Sequence, residues 1–200
     1  MTIYEQIIEA CQPYWTVRDN DIHIPESYAF AKRLLTHYPD ADALIVLPAI
    51  LMHDNGYANV PPETLFAGLT DAPVGFDADI TRLHEIEGAK IAREILTKLD
   101  FDATRIDTIC EIIDGHDSRK HALSLEDKLV KDSDKLWRFT AVAARVAGAG
   151  WMGKEPLEFL DYCLSKVDGW MFTEEAVLMA RESANIARRE LRSEFKWRKS

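Results

Sequence analysis

The feature that most constrains this chain is an unbroken apolar run, Leu44-Ile45-Val46-Leu47-Pro48-Ala49-Ile50-Leu51-Met52, which ends on His53 and Asp54. On helical spacing Ala43, Leu47, Ile50 and Asp54 fall on one face, so the Asp54 carboxylate points to the side of the core. A buried carboxylate without a partner is costly and takes up a proton. A bound cation removes that penalty, because it becomes the largest local charge. Taken alone, the pair is better explained as a polar cap on a helix end.

Helical spacing recurs along the chain, and period-two alternation with β-branched residues never persists, so an all-α helical bundle is expected. Helices are predicted over about 3–11, from Asp21 with Pro25 in the first turn, and over about 41–54, where Pro48 should kink or divide the helix and Gly56 end it. Others follow over about 81–99 and 103–114, then as one long helix from Leu125 to near Gly148. The last two cover about 156–167 and run from Thr173, an N-cap, to near Trp197. Residues 57–79, with Pro61, Pro62, Gly68, Pro73 and Gly75, break the pattern and read as a surface loop or a lid. Residues 148–153 read as a hinge. With 200 residues, one domain over 1–200 is expected, its core at about 21–147 and C-terminal helices at about 155–199 packed on it.

A formal net charge of −10 opposes binding to long nucleic acid, which needs phosphate neutralisation by Lys and Arg. The basic tail, Phe195 to Ser200, is explained by the negative end of a helix dipole. Cys11, Cys110 and Cys163 are too scattered for a disulfide framework or a zinc knuckle, and read as small buried hydrophobes. No apolar run is long enough to span a bilayer, and the N-terminus lacks a basic flank followed by an apolar run. A cytoplasmic location without a membrane partner is therefore expected.

Beyond His53, His84 shares a face with Gly88, Ile91 and Ile95, and His116 lies one turn past Ile113. A single inward histidine is ordinarily a satisfied core residue. Several, at the inward ends of separate helices, would each need a buried partner. Helix bundles build metal centres by projecting His and carboxylate side chains inward from different helices. Mixed imidazole and carboxylate donors suit one or two divalent transition ions: Fe, Mn, Ni, Co or Zn. For a late carboxylate, periodicity favours Asp132, which shares a face with Leu125, Leu129, Leu136 and Phe139. Asp134 neighbours Lys131 and Arg138 instead.

The ordered set resembles the HD-domain superfamily: His23 in Asp-Ile-His-Ile-Pro, His53-Asp54 in Leu-Met-His-Asp-Asn-Gly, and Asp134 in Leu-Val-Lys-Asp-Ser-Asp-Lys-Leu. The resemblance covers roughly Asp21 to Phe139 and implies a metal held by His23, His53, Asp54 and Asp134. The family's late motif selects Asp134 over Asp132. Members with two ions add two histidines in the interval that holds His84 and His116. The resemblance then implies that Asp54 is catalytic, bridging the ions, with an ionised water attacking a small phosphate ester, nucleotides included. Arg119, Lys120, Lys131 and Lys135 are candidate substrate-binding cations. The Gly-Tyr-Pro signature of cyclic-dinucleotide phosphodiesterases is missing, and Pro25 follows His23 closely where the usual first histidine sits in an unbroken helix. The same ligand order is similar to HD-fold di-iron oxygenases, such as inositol oxygenase and an organophosphonate-cleaving enzyme. A non-catalytic signalling module ranks third, because such modules usually lose ligands. His37 and His121 are expected at the surface.

Overall fold

Capping side chains set where several of the helices begin. In the computed structural model, which describes residues 1–65 and 78–197 (the last four by backbone alone), Thr2 opens α1 (Ile3–Cys11). Its hydroxyl accepts the Glu5 N–H while the Glu5 carboxylate accepts its own N–H, a reciprocal box. Asp42 opens α3 (Ala43–Met52), Asp102 opens α5 (Ala103–Ile113) and Ser124 opens α6 (Leu125–Leu136), each accepting an N–H of the first turn. The remaining long helices are α2 (Asn20–Leu35), α4 (Ala78–Lys98), α8 (Pro156–Trp170) and α9 (Glu174–Trp197). Thr173 caps α9 through its hydroxyl, which accepts the Ala176 N–H at 3.3 Å. The fold is all-α; among the described residues there is no strand.

Three local expectations are corrected and a fourth, at Pro48, is narrowed. Pro25 sits inside α2, which starts at Asn20 and continues to Leu35, so His23 lies in an unbroken helix. The bond that proline removes is to the carbonyl of Asp21, an exposed residue that water can satisfy. α3 likewise passes through Pro48 undivided. Gly56 is no helix stop, because α3 has already ended at Met52. A Cβ at Gly56 would lie 1.9 Å from the His84 carbonyl oxygen and 2.5 Å from the Gly88 nitrogen. Glycine there lets the turn after α3 touch the α4 backbone.

The predicted long helix from Leu125 is divided. α6 runs into a 3₁₀ turn, Trp137–Phe139, and Thr140 then adopts an extended conformation (φ −95°, ψ 159°). Its hydroxyl donates to the Trp137 carbonyl at 2.8 Å and accepts the Ala143 N–H at 3.2 Å, so one side chain satisfies both sides of the break. α7 (Ala141–Ala143) continues into a π-helical stretch, Ala144–Trp151, and Gly153 turns the chain at φ +59°. Within the 57–79 stretch, Asn55–Asn59 forms a 3₁₀ turn, while residues 66–77 lie outside the described residues, as does the end of the basic tail.

One contiguous buried cluster extends from Ile7 in α1 to Leu191 in α9. At its centre is α3, buried from Val46 through Met52, as a helix apolar on all sides must be. α1, α2, α5 and α6 pack around it. That placement delivers His53 and Asp54 to the middle of the molecule. No helix among the described residues is long and apolar enough to cross a membrane.

Candidate metal centre

Five segments converge on Asp54. His23 comes from the first turn of α2, His53 and Asp54 from the end of α3, His84 from α4, His116 from the loop after α5, and Asp134 from α6. All six are buried. The ring nitrogens His23 Nε2 and His53 Nε2 face each other at 3.0 Å. Asp134 Oδ1 lies 3.2 Å from the first and 3.6 Å from the second, and the Asp54 carboxylate lies 3.5 and 3.6 Å from them. On its other side Asp54 Oδ1 is 3.7 Å from His84 Nε2 and 3.4 Å from His116 Nε2, which are 3.4 Å apart. Both triads, His23-His53-Asp54 and Asp54-His84-His116, could hold a metal ion.

The tautomers suit that role. His53 Nδ1 lies 2.8 Å from the Ile50 carbonyl, and His116 Nδ1 lies 2.9 Å from that of Ile113. A carbonyl only accepts, so each Nδ1 carries the proton and each Nε2 offers a lone pair to the cluster. His84 Nδ1 repeats the arrangement at 3.3 Å from the Ile80 carbonyl. Asp134 Oδ2 is buried without a hydrogen-bond partner, which a cation would supply. The donor set therefore fits a divalent transition ion.

Electrostatics keep the carboxylates ionised. Burial alone would raise the Asp54 carboxyl, but His53, His116, His23 and His84 hold it well below the usual range. Burial would likewise raise Asp134, and Arg138 and His23 outweigh it in the same way. Burial, aided by His116, pushes His84 down to about 4, so its ring is neutral at pH 7. For His116 burial is outweighed by Asp117 and Asp54, which push it up to about 9, so an ion bound there takes the place of the Nε2 proton.

The carboxylate that periodicity favoured does something else. Asp132 accepts the N–H groups of Phe172 and Thr173 at 2.7 and 3.0 Å and the Thr173 hydroxyl at 2.7 Å, anchoring the start of α9. Of the candidate cations, Lys131 is buried and donates to the carbonyls of Gly115 and His116 at 2.7 Å and of Arg119 at 3.1 Å. Arg119 bonds Asp127 at 3.0 Å and the carbonyls of Glu111 and Asp114. Lys120 is exposed. Of the four, Lys135 lines a cavity beside the His/Asp cluster. His37 and His121 are exposed.

Residues not singled out from the sequence complete the site. Glu85, fully buried, accepts the N–H groups of Asp117 and Ser118 at 2.9 and 2.7 Å and the Ser118 hydroxyl, and pairs with Arg82. Glu85 and Lys131 thus clamp the loop that carries His116, one through its N–H groups and the other through its carbonyls. Gly115 makes the loop possible at φ +138°, where a Cβ would come within 2.6 Å of the Arg119 guanidinium. Glu85 had a legible signal, since Glu85, Gly88, Ala92 and Leu96 form one inward row of α4. Aromatic walls enclose the cluster. Tyr57 stacks on His84 at 4.0 Å, Trp137 packs on His23 at 4.7 Å, and Arg18 lies over Tyr57 and Trp151. Next to this cleft lies a cavity of about 550 Å³, lined by Arg82, Lys135, Lys166, Tyr162 and Trp170 and sharing Asp117 and Arg138 with the cleft.

The model of the HD domain matches residues 20–138, from the start of α2 to the turn after α6, and so spans every one of these donors. The chain belongs to the HD-domain family. A crystal structure of a predicted HD superfamily hydrolase from an uncultured Thermotogales bacterium is similar to it. The TM-score is 0.61 at 20% identity, over 96% of this chain and 92% of that one. That likeness shows the shared HD fold, including α8 and α9 beyond the matched region. No curated protein matches the chain.

Proposed function

We propose that this HD-domain protein is a phosphohydrolase that acts on a small phosphate ester, with two divalent ions on either side of Asp54. The observation that carries the reading is a cavity that shares Asp117 and Arg138 with the lining of the metal cleft. Its volume of about 550 Å³ suits a nucleotide-sized ligand and not a polymer. Its cations suit an anion. The Arg138 guanidinium, anchored on the Asp134 carbonyl at 3.1 Å, faces both spaces. Lys135 and Lys166 add charge, and among the described residues neither has a carboxylate within salt-bridge distance. Divalent ions bound here would supply Lewis acidity and an ionised water near neutral pH. The chain's own contribution is positioning. Arg138 and Lys135 orient phosphoryl oxygens toward Asp54, while Tyr57, Trp137 and Trp151 exclude bulk water from the opposite side.

Anaerobic incubation of protein loaded with manganese, cobalt, zinc or magnesium against nucleotides and small phosphomonoesters should release inorganic phosphate. Iron-dependent oxygen uptake coupled to substrate loss, without phosphate release across that panel, would move the assignment to the oxygenase reading.

A further inference from the structure

Asp117 follows His116 directly, and the clamped loop turns its carboxylate toward the two histidines that face Asp54. Its Oδ2 lies 3.7 Å from His84 Nε2 and 3.8 Å from His116 Nε2. Both separations exceed a hydrogen bond, and they are nearly equal. An ion pair closed by a hydrogen bond would shorten one of them. Donors bound to one ion at about 2.1 Å are about 3.0–3.5 Å apart at octahedral to tetrahedral angles. The spacing between donors around His84 and His116, 3.4 to 3.8 Å, is a slightly expanded version of that frame. Around His23 and His53 the corresponding spacings are 3.0 to 3.6 Å, with Asp134 as the outer carboxylate. Asp117 stands to the second histidine pair as Asp134 stands to the first.

We propose, resting on the two-ion reading above, that Asp117 is a protein ligand of the second ion, completing a site of His84, His116, Asp117 and the shared Asp54. Each ion then has two imidazoles, one outer carboxylate and one side of Asp54. The residue is built for the role. Its N–H is fixed by Glu85 at 2.9 Å, the carbonyl before it is fixed by Lys131 at 2.7 Å, and its side chain is about one-fifth exposed, on the wall shared with the substrate cavity. Three carboxylates against two divalent ions bring the centre close to neutrality, so an anionic substrate is held chiefly by Arg138, Lys135 and Lys166. A ligand on the cavity wall also fixes the second ion at the substrate's side of the cluster.

The test is cobalt(II) binding by calorimetry, with absorption of the bound cobalt as a second readout, on wild type, Asp117→Asn, Asp117→His and Asp134→Asn. Losing a residue that merely supports a ligand costs roughly 10–100-fold in metal affinity, so Asp117→Asn should weaken the second ion by at least about 100-fold and leave the first unchanged. Asp134→Asn should show the mirror image. Asp117→His restores a donor and should recover the second ion, which a simple counter-charge role would not allow. Two ions held by Asp117→Asn at wild-type affinity would overturn the assignment and leave the two-ion reading intact. One equivalent in saturated wild type would overturn both. Phosphate release by the same wild-type preparation tests the hydrolase reading separately. Circular dichroism confirms that each variant is folded.

Discussion

Lys131 was a candidate phosphate ligand by sequence; the structure makes it a structural clamp, and Lys131→Met tests the difference. The side chain is 1% exposed, and its ammonium donates to three carbonyls of the loop bearing His116 and Asp117. Gly115 O also accepts the Arg119 N–H at 3.2 Å and keeps a partner. The His116 and Arg119 carbonyls lose their ammonium donor. A hydrogen bond to a charged group contributes about 1.5–3 kcal/mol, so two uncompensated losses sum to about 3–6 kcal/mol. Relief of the buried ammonium offsets part of this, leaving about 3 kcal/mol. For a chain of this size that lowers Tm by roughly 6–12 °C. The free loop should also release the ion held by His84 and His116 while His23 and His53 keep theirs. Thermal unfolding and metal titration read the two effects, with the exposed Lys120→Met as a control expected within about 0.5 kcal/mol. The pH dependence has a definite sign. Burial pushes Lys131 down from 10.5 to about 8, so between those values the unfolded chain holds the extra proton. The stability of wild type relative to Lys131→Met should therefore rise across that window. A variant as stable as wild type that still binds both ions would refute the clamp.

Asp132→Ala should cost about 2–4 kcal/mol, because it strips two N–H groups at the start of α9 of their acceptor, yet leave metal content unchanged; chelator-free metal analysis and urea unfolding check this. Gly56→Ala should destabilise by about 3 kcal/mol or more, since its Cβ would meet the α4 backbone and one of the two packed segments must move, as seen by urea unfolding. Manganese or cobalt at about 100 times its Kd should raise stability by about 2.7 kcal/mol per site, hence Tm by roughly 5–11 °C. Asp54→Ala, which removes the carboxylate both triads share, should abolish that shift in a thermal melt.

The fold was legible because its strongest signal and its central element coincide. An apolar run that cannot face water anywhere became the helix against which α1, α2, α4, α5 and α6 pack, and the two polar residues ending it became the centre of the site. What the sequence hid were breaks and contacts that depend on the partner element. Thr140 ends a helical pattern that reads as continuous, because its side chain bonds the backbone on both sides of the break. Gly56 looks like a helix terminator, and its real role is visible only once α4 lies against it.

The site shows where helical periodicity fails as a guide. Periodicity sorts inward from outward positions when one face is apolar and the other is wet. Most of α6 from Asp127 to Leu136 is buried: Leu129, Val130 and Leu136 join the core, Asp132 meets the start of α9, Lys131 enters the α5–α6 loop, and Asp134 meets the metal cluster. With polar groups buried on several sides, matching Asp132 to the apolar stripe found a buried carboxylate but not the one among the histidines. The family motif, which encodes the position and not the hydrophobicity, pointed to Asp134. Asp117 escaped both guides, since it lies outside the motif and in a loop; Glu85 is outside the motif too, but its place on the inward row of α4 was legible. A buried acid beside a histidine in α4 and an acid following a histidine in the loop 32 residues later are two ends of one device. The first fixes the backbone that aims the second, so on the two-ion reading the second metal position would depend on a charge outside both triads.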